Sequence, residues 1–129
     1  TRGAPMTLPL LALAALTLMA GPDPLTVGFR AWGKDDCKAL IRGQDVYCKT
    51  GDCKAIVRKK DIYCDTDDCK AVLRKNDVYC KTGDCKAILR NKDIYCDTDD
   101  CKAYIRKSDV YCKTGSCKAI LRGQDSYCQ

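Results

Sequence analysis

From Cys37 onward, the apolar and polar positions of this chain recur every sixteen residues. The unit reads C-K-A-ψ-ψ-R-x-x-D-ψ-Y-C-x-T-x-D, with ψ mostly Ile, Leu or Val, and six copies follow one another to the end of the chain. Each copy holds two short runs, C-K-A-ψ-ψ-R and D-ψ-Y-C, separated by turn-forming stretches such as Gly43-Gln44-Asp45 and Lys49-Thr50-Gly51-Asp52. The runs are rich in β-branched and aromatic residues and short for helices, so they read as strands. Strand, turn, strand, turn fits one coil of a flattened β-solenoid. One coil cannot bury a face alone, so the copies are expected to stack. The expected fold class is all-β: a disulfide-laddered β-solenoid of six 16-residue coils over residues 34–129, preceded by an apolar, helical segment with its linker over residues 1–33. A string of independent Cys-rich hairpins is the competing arrangement.

Strand alternation assigns the faces. Cys37, Ala39 and Ile41 point inward with Val46 and Cys48, while Lys38, Leu40 and Arg42 point outward on one side and Asp45, Tyr47 and Lys49 on the other. The outward stripe Leu40, Ile56, Val72, Ile88, Tyr104 and Ile120 lies between a Lys column and an Arg column. A continuous apolar stripe on a surface marks a docking site, so these residues are partner-binding candidates. The rank Tyr47, Tyr63, Tyr79, Tyr95, Tyr111 and Tyr127 is a second candidate, beside a packing role in cross-strand stacking.

The inward face is thin, and cysteine has to compensate. Twelve Cys form two series of the same period. Pairing residues eleven apart uses all of them: Cys37–Cys48, Cys53–Cys64, Cys69–Cys80, Cys85–Cys96, Cys101–Cys112 and Cys117–Cys128. Pairing residues five apart strands Cys37 and Cys128. One bridge inside each coil is therefore expected. Zinc is the competing use of Cys, but its structural sites prefer tighter Cys pairs. So many cysteines place the chain in an extracytoplasmic oxidising compartment: secreted, periplasmic or in an organelle lumen.

Composition then narrows the chemistry. The chain has no His, and all seventeen of its acidic residues are Asp. The usual proton-transfer residue near neutral pH is missing, and no catalytic, cofactor-binding or metal-binding residues are assigned. The D-T-D-D turns, Asp65–Asp68 and Asp97–Asp100, cluster carboxylates as calcium sites do, but they lack a calcium-repeat spacing and read as solvated turns. Lys49, Asp65, Lys81, Asp97 and Lys113 alternate in sign, which on a stack gives attraction of about 0.2–1 kcal/mol per exposed pair. Net charge is +6 with both signs interleaved, which argues against a dedicated nucleic-acid binder.

The segment before the repeat carries an apolar run of thirteen residues, Leu8 to Ala20, ending at Gly21-Pro22-Asp23-Pro24. As a helix it is about 20 Å long, short of the roughly 30 Å hydrocarbon core. Two readings stay open. It is the core of a removed targeting peptide, with Leu18-Met19-Ala20 as the cleavage site. Alternatively it is a retained anchor, with membrane contact through residues 6–32 and Arg30, Ala31 and Trp32 at the interface.

The Tyr-Cys steps, such as Tyr47-Cys48 and Tyr63-Cys64, combined with tandem coils and an internal bridge, resemble the disulfide-laddered antifreeze solenoids of insects, the midge type in particular. The period differs and that family's glycines are missing. The resemblance implies ice binding, but against a flat, sparsely charged ice-binding face the Tyr rank is flanked by Asp and Lys, and Thr50, Thr66, Thr82, Thr98 and Thr114 make only a single rank. The expected function is a non-enzymatic structural or accessory repeat protein that docks a protein partner, an integral membrane complex if the apolar run is retained. A secreted ligand-binding solenoid, ice-binding for example, is the alternative.

Overall fold

A computed structural model describes residues 22–129 of the chain. Among the described residues there is no strand, which overturns the β-solenoid. Each copy is instead a two-turn α-helix, a single 3₁₀ turn and an extended return. A short α1 (Pro24–Val27) comes first. The repeat helices are α2 (Lys34–Arg42), α3 (Gly51–Arg58), α4 (Asp67–Arg74), α5 (Gly83–Arg90), α6 (Asp99–Arg106) and α7 (Gly115–Arg122). The 3₁₀ turns are Asp45–Tyr47, Asp61–Tyr63, Asp77–Tyr79, Asp93–Tyr95, Asp109–Tyr111 and Asp125–Tyr127.

Local chemistry selects the helix. Thr50, Thr66, Thr82, Thr98 and Thr114 are the N-caps of α3 to α7, each hydroxyl accepting the N–H of the Cys three residues on at 3.1 Å. An Arg occupies every last turn, where a cation suits the helix dipole. The following residue is left-handed: Gly43, Lys59, Lys75, Asn91, Lys107 and Gly123 have φ between 54° and 67°. Each returns its N–H to the helix's Ala carbonyl. Gly takes this conformation freely, whereas an ordinary side chain such as Lys pays about 1–2 kcal/mol. A two-turn helix is marginal by itself, so packing must complete it. In α3 the buried residues are Asp52, Cys53, Ala55 and Ile56, one stripe at helical spacing.

The six copies close on themselves. Helix α2 packs against α7 as well as against α3. Arg42 of α2 pairs with Asp125 at 2.6 Å, repeating the bonds of Arg74 with Asp61 and Arg90 with Asp77. Cys37 is bonded to Cys128. The molecule is a ring of parallel helices, with N-termini at one mouth and C-termini at the other.

Ring closure also corrects the disulfide pairing. The bridges join residues five apart: Cys48–Cys53, Cys64–Cys69, Cys80–Cys85, Cys96–Cys101 and Cys112–Cys117. Each ties a 3₁₀ turn to the first turn of the next helix. The two cysteines that this register strands in a linear array meet across the closure as Cys37–Cys128, with Cα atoms 5.7 Å apart. No cysteine is free, and six disulfides place the protein in an oxidising compartment.

The lumen is filled by the chain's own residues 24–32. Val27, Phe29 and Trp32 are buried there. The segment starts beside the helix C-termini, where Pro22, Asp23 and Thr26 share a cavity with Gly43, Lys59 and Lys75. It ends beside the helix N-termini, where Arg30 and Ala31 lie near Asp84, Asp100 and Thr114. Among the described residues, no helix is long and apolar enough to cross a membrane.

Candidate functional site

The stripe expected to dock a partner does have an occupant in this structure. Leu40, Ile56, Val72, Ile88, Tyr104 and Ile120 are all buried, at 7% exposure or less, facing the threaded segment. Their expected outward placement followed from strand alternation; on a helix they share a face with the Cys and Ala positions. The fit is close at Gly28, where a Cβ would stand 2.8 Å from both Ile88 Cδ1 and Tyr104 Cβ. Trp32 packs edge-on to Phe29, with centroids 5.6 Å apart, and donates from Nε1 to the Val27 carbonyl at 2.8 Å. The Arg30 guanidinium covers the Trp32 ring at 4.6 Å. Burial pushes the Tyr104 phenol well above its ordinary range, with the Asp100 charge adding to the shift. Of the range 6–32 expected to meet a membrane, residues 6–21 lie outside the described residues, and Trp32 is 5% exposed inside the ring mouth.

Two belts of polar bonds hold the ring. The first joins the helix N-termini. In five of the six repeat helices an Asp in the first turn braces the N-cap of the next copy: Asp52 accepts Asp65 N at 2.7 Å, Thr66 N at 3.1 Å and Thr66 Oγ1 at 2.8 Å; α7 has Ser116 at this position. Asp36, Asp68, Asp84 and Asp100 brace the following Thr in the same way. The Thr hydroxyl thus donates to one helix while capping another, so neighbouring copies share a register. Asp52 is the only one of the five that also binds the plug among the described residues, through Arg30 Nη1 at 2.9 Å. Its side chain is fully buried. Asp52→Asn replaces charge-assisted bonds by neutral ones and turns an N–H toward other donors, so it is expected to cost about 1.5–3 kcal/mol in denaturant unfolding. Asp100→Asn, without the Arg30 contact, is expected to cost less.

The second belt joins the helix C-termini. Each last-turn Arg reaches the Asp that opens the preceding 3₁₀ turn and the Tyr that closes its own. Arg90 Nε lies 2.7 Å from Asp77, and its Nη1 donates to Tyr95 Oη at 3.1 Å. Arg58 does the same with Asp45 and Tyr63. The guanidinium also covers the ring, at 5.1 Å for Arg90 over Tyr95. The Arg hydrogen bonds hold the Asp61 and Asp109 carboxyls below the ordinary carboxylate range. A lowered carboxyl stabilises the folded state above its unfolded pKa, and that stabilisation is lost as pH falls through the folded value. The Tyr rank (Tyr47, Tyr63, Tyr79, Tyr95, Tyr111 and Tyr127) is therefore half-exposed and bound to arginine.

The remaining polar motifs are also used by the chain. Asp65 accepts the Gly51 N–H at 2.7 Å and Asp97 accepts that of Gly83 at 2.8 Å, where the chains approach too closely for a Cβ. Lys81 and Lys113 reach Asp67 and Asp99 at 4.0 and 3.9 Å. The sign alternation is thus a pairing rule: Gly takes an Asp from the next copy, and Asp takes a Lys. Asp36, Cys48 and Cys53, and four equivalent sets, bring possible metal-ligand atoms within 4.8 Å. Their sulfurs are in disulfides and their Asp oxygens accept bonds from the chain, so ligation requires both to be undone.

Sequence reasoning missed Val46, Ile62, Val78, Ile94 and Val110. Val46 was expected to point inward. In the structure these five are between 73% and 82% exposed. They sit at the middle of the 3₁₀ turns, outside the buried helical stripe; the D-ψ-Y pattern alone does not separate the two placements. No family model, curated protein or solved structure matches this chain.

Proposed function

We propose that this protein is a non-enzymatic structural or accessory subunit of an extracytoplasmic compartment, a rigid ring that docks a protein partner through its repeated outer surface. The single observation that supports this most is the use of its polar side chains. Asp, Thr, Arg and Tyr recur in every copy and are spent on bonds between copies. Six bridges and two belts make a stiff platform whose outer face repeats the same exposed residues. The plug is compatible with either fate of the N-terminal run, since cleavage after Ala20 leaves residues 24–32 in place.

Fractionation of the native source in mild detergent tests the reading. The chain is expected to migrate with a larger assembly at constant stoichiometry. Migration of the whole pool as a free single chain would count against it.

A further inference from the structure

The two mouths of the ring differ in charge and in apolar exposure. At the helix N-terminal mouth, the exposed or half-exposed Lys34, Lys49, Lys81 and Lys113 are interleaved with Asp35, Asp65, Asp67, Asp97 and Asp99. At the helix C-terminal mouth, Lys59, Lys60, Lys75, Lys92 and Lys107 are exposed. The aspartates of the belt there are already paired with arginine. Three of these lysines, Lys59, Lys75 and Lys107, sit in the left-handed region, where Gly43 and Gly123 do the same capping without strain. The helix dipole favours a cation there but does not require one in that conformation.

The exposed aliphatics belong to the same mouth. Ile62, Val78, Ile94 and Val110 each lie between an Asp and a Tyr that bind last-turn arginines. The sixth copy lacks both, with Gly123, Gln124 and Ser126 at these positions, whereas the first copy lacks the lysines (Gly43, Gln44) but keeps exposed Val46. The result is an arc over the second to fifth copies that mixes cations with exposed Ile and Val. Pro22, one residue after the apolar run Leu8–Ala20 and Gly21, stands at this mouth.

We propose that the helix C-terminal mouth is a membrane-docking face that seats on an anionic lipid bilayer, with the lysines at the headgroups and Ile62, Val78, Ile94 and Val110 at the acyl boundary. Charge complementarity, together with Pro22 standing at this mouth two residues after Ala20, favours a bilayer over a protein groove. The proposal rests on the accessory reading, naming what such a subunit sits on.

The test is partition of the full chain onto vesicles of phosphatidylcholine alone and with about 30 per cent phosphatidylglycerol. The ratio of the two affinities removes any contribution of the apolar run, which neutral vesicles share. At low salt, anionic vesicles are expected to bind at least about tenfold tighter, the preference shrinking as salt rises. Replacing Lys59, Lys75 and Lys107 by Gly, and Lys60 and Lys92 by Gln, copies the end repeats and keeps the caps; it is expected to bring the ratio close to one. Lys34→Gln, Lys49→Gln, Lys81→Gln and Lys113→Gln together, at the other mouth, are expected to leave it unchanged. A wild-type ratio near one, or a ratio lost equally in both variants, overturns the proposal. A chain that migrates with an assembly but shows no anionic preference sinks this inference and leaves the accessory reading standing. A free monomer with the preference does the reverse.

Discussion

Replacing Cys37 and Cys128 by Ser is expected to destabilise the protein about twice as much as replacing any other bridged pair. The Cys37–Cys128 bridge spans 91 residues, whereas Cys80–Cys85 spans 5. A cross-link restricts the unfolded chain more when its loop is longer. Loop-closure entropy therefore assigns about 4–5 kcal/mol to the closing bridge and about 2 kcal/mol to each short one. The closing bond also carries a structural load that the others do not. Without it, the α2–α7 contact and the Arg42–Asp125 pair must hold the seam unaided. Urea unfolding of Cys37→Ser/Cys128→Ser against Cys80→Ser/Cys85→Ser measures the difference, and a non-reducing peptide map checks the pairing. Equal losses, or a peptide joining Cys37 to Cys48, would show that the copies do not close.

Trp32→Ala is expected to cost about 3–5 kcal/mol, the range for deleting a large buried aromatic. The effect should exceed that of an ordinary core truncation because Trp32 locks the plug. It donates to the Val27 carbonyl, packs edge-on to Phe29 and carries Arg30, which in turn reaches Asp52. When the plug loosens, the lining stripe from Leu40 to Ile120 meets water. The variant is therefore expected to bind an apolar fluorescent dye that the native protein ignores, while its helical circular dichroism persists under the constraint of the six bridges. Loss of stability without dye binding would mean that the lumen collapses or stays filled, and that Trp32 acts only as a local contact. Both expectations depend on the lumen being occupied by residues 24–32, so they also test whether the ring is plugged in solution.

The period and an oxidising compartment were legible in the residues alone, whereas the disulfide register was not. Identical spacing of Cys, Lys, Arg, Asp and Tyr defines six equivalent units whatever their secondary structure. Twelve cysteines in a chain with one Phe and one Trp require cross-links to make up for a lean core. The helix was less legible because C-K-A-ψ-ψ-R is short. Over so few residues, an apolar pattern is compatible with both a two-residue and a 3.6-residue period. The overlooked signal was Thr three residues before Cys in five copies, with Gly43, Asn91 or Gly123 just past the Arg in three, which are start and stop marks of a helix.

What only the tertiary structure decided is closure. Whether the first and last copies meet depends on the rotation between neighbouring copies, which accumulates around the ring and appears in no single unit. That rotation determines whether pairing five residues apart strands two cysteines or joins them. It also determines whether the Leu40 stripe faces a partner or encloses the chain's own Phe29 and Trp32. The residues specify each contact between neighbours, but only the sum of six such contacts makes an inside.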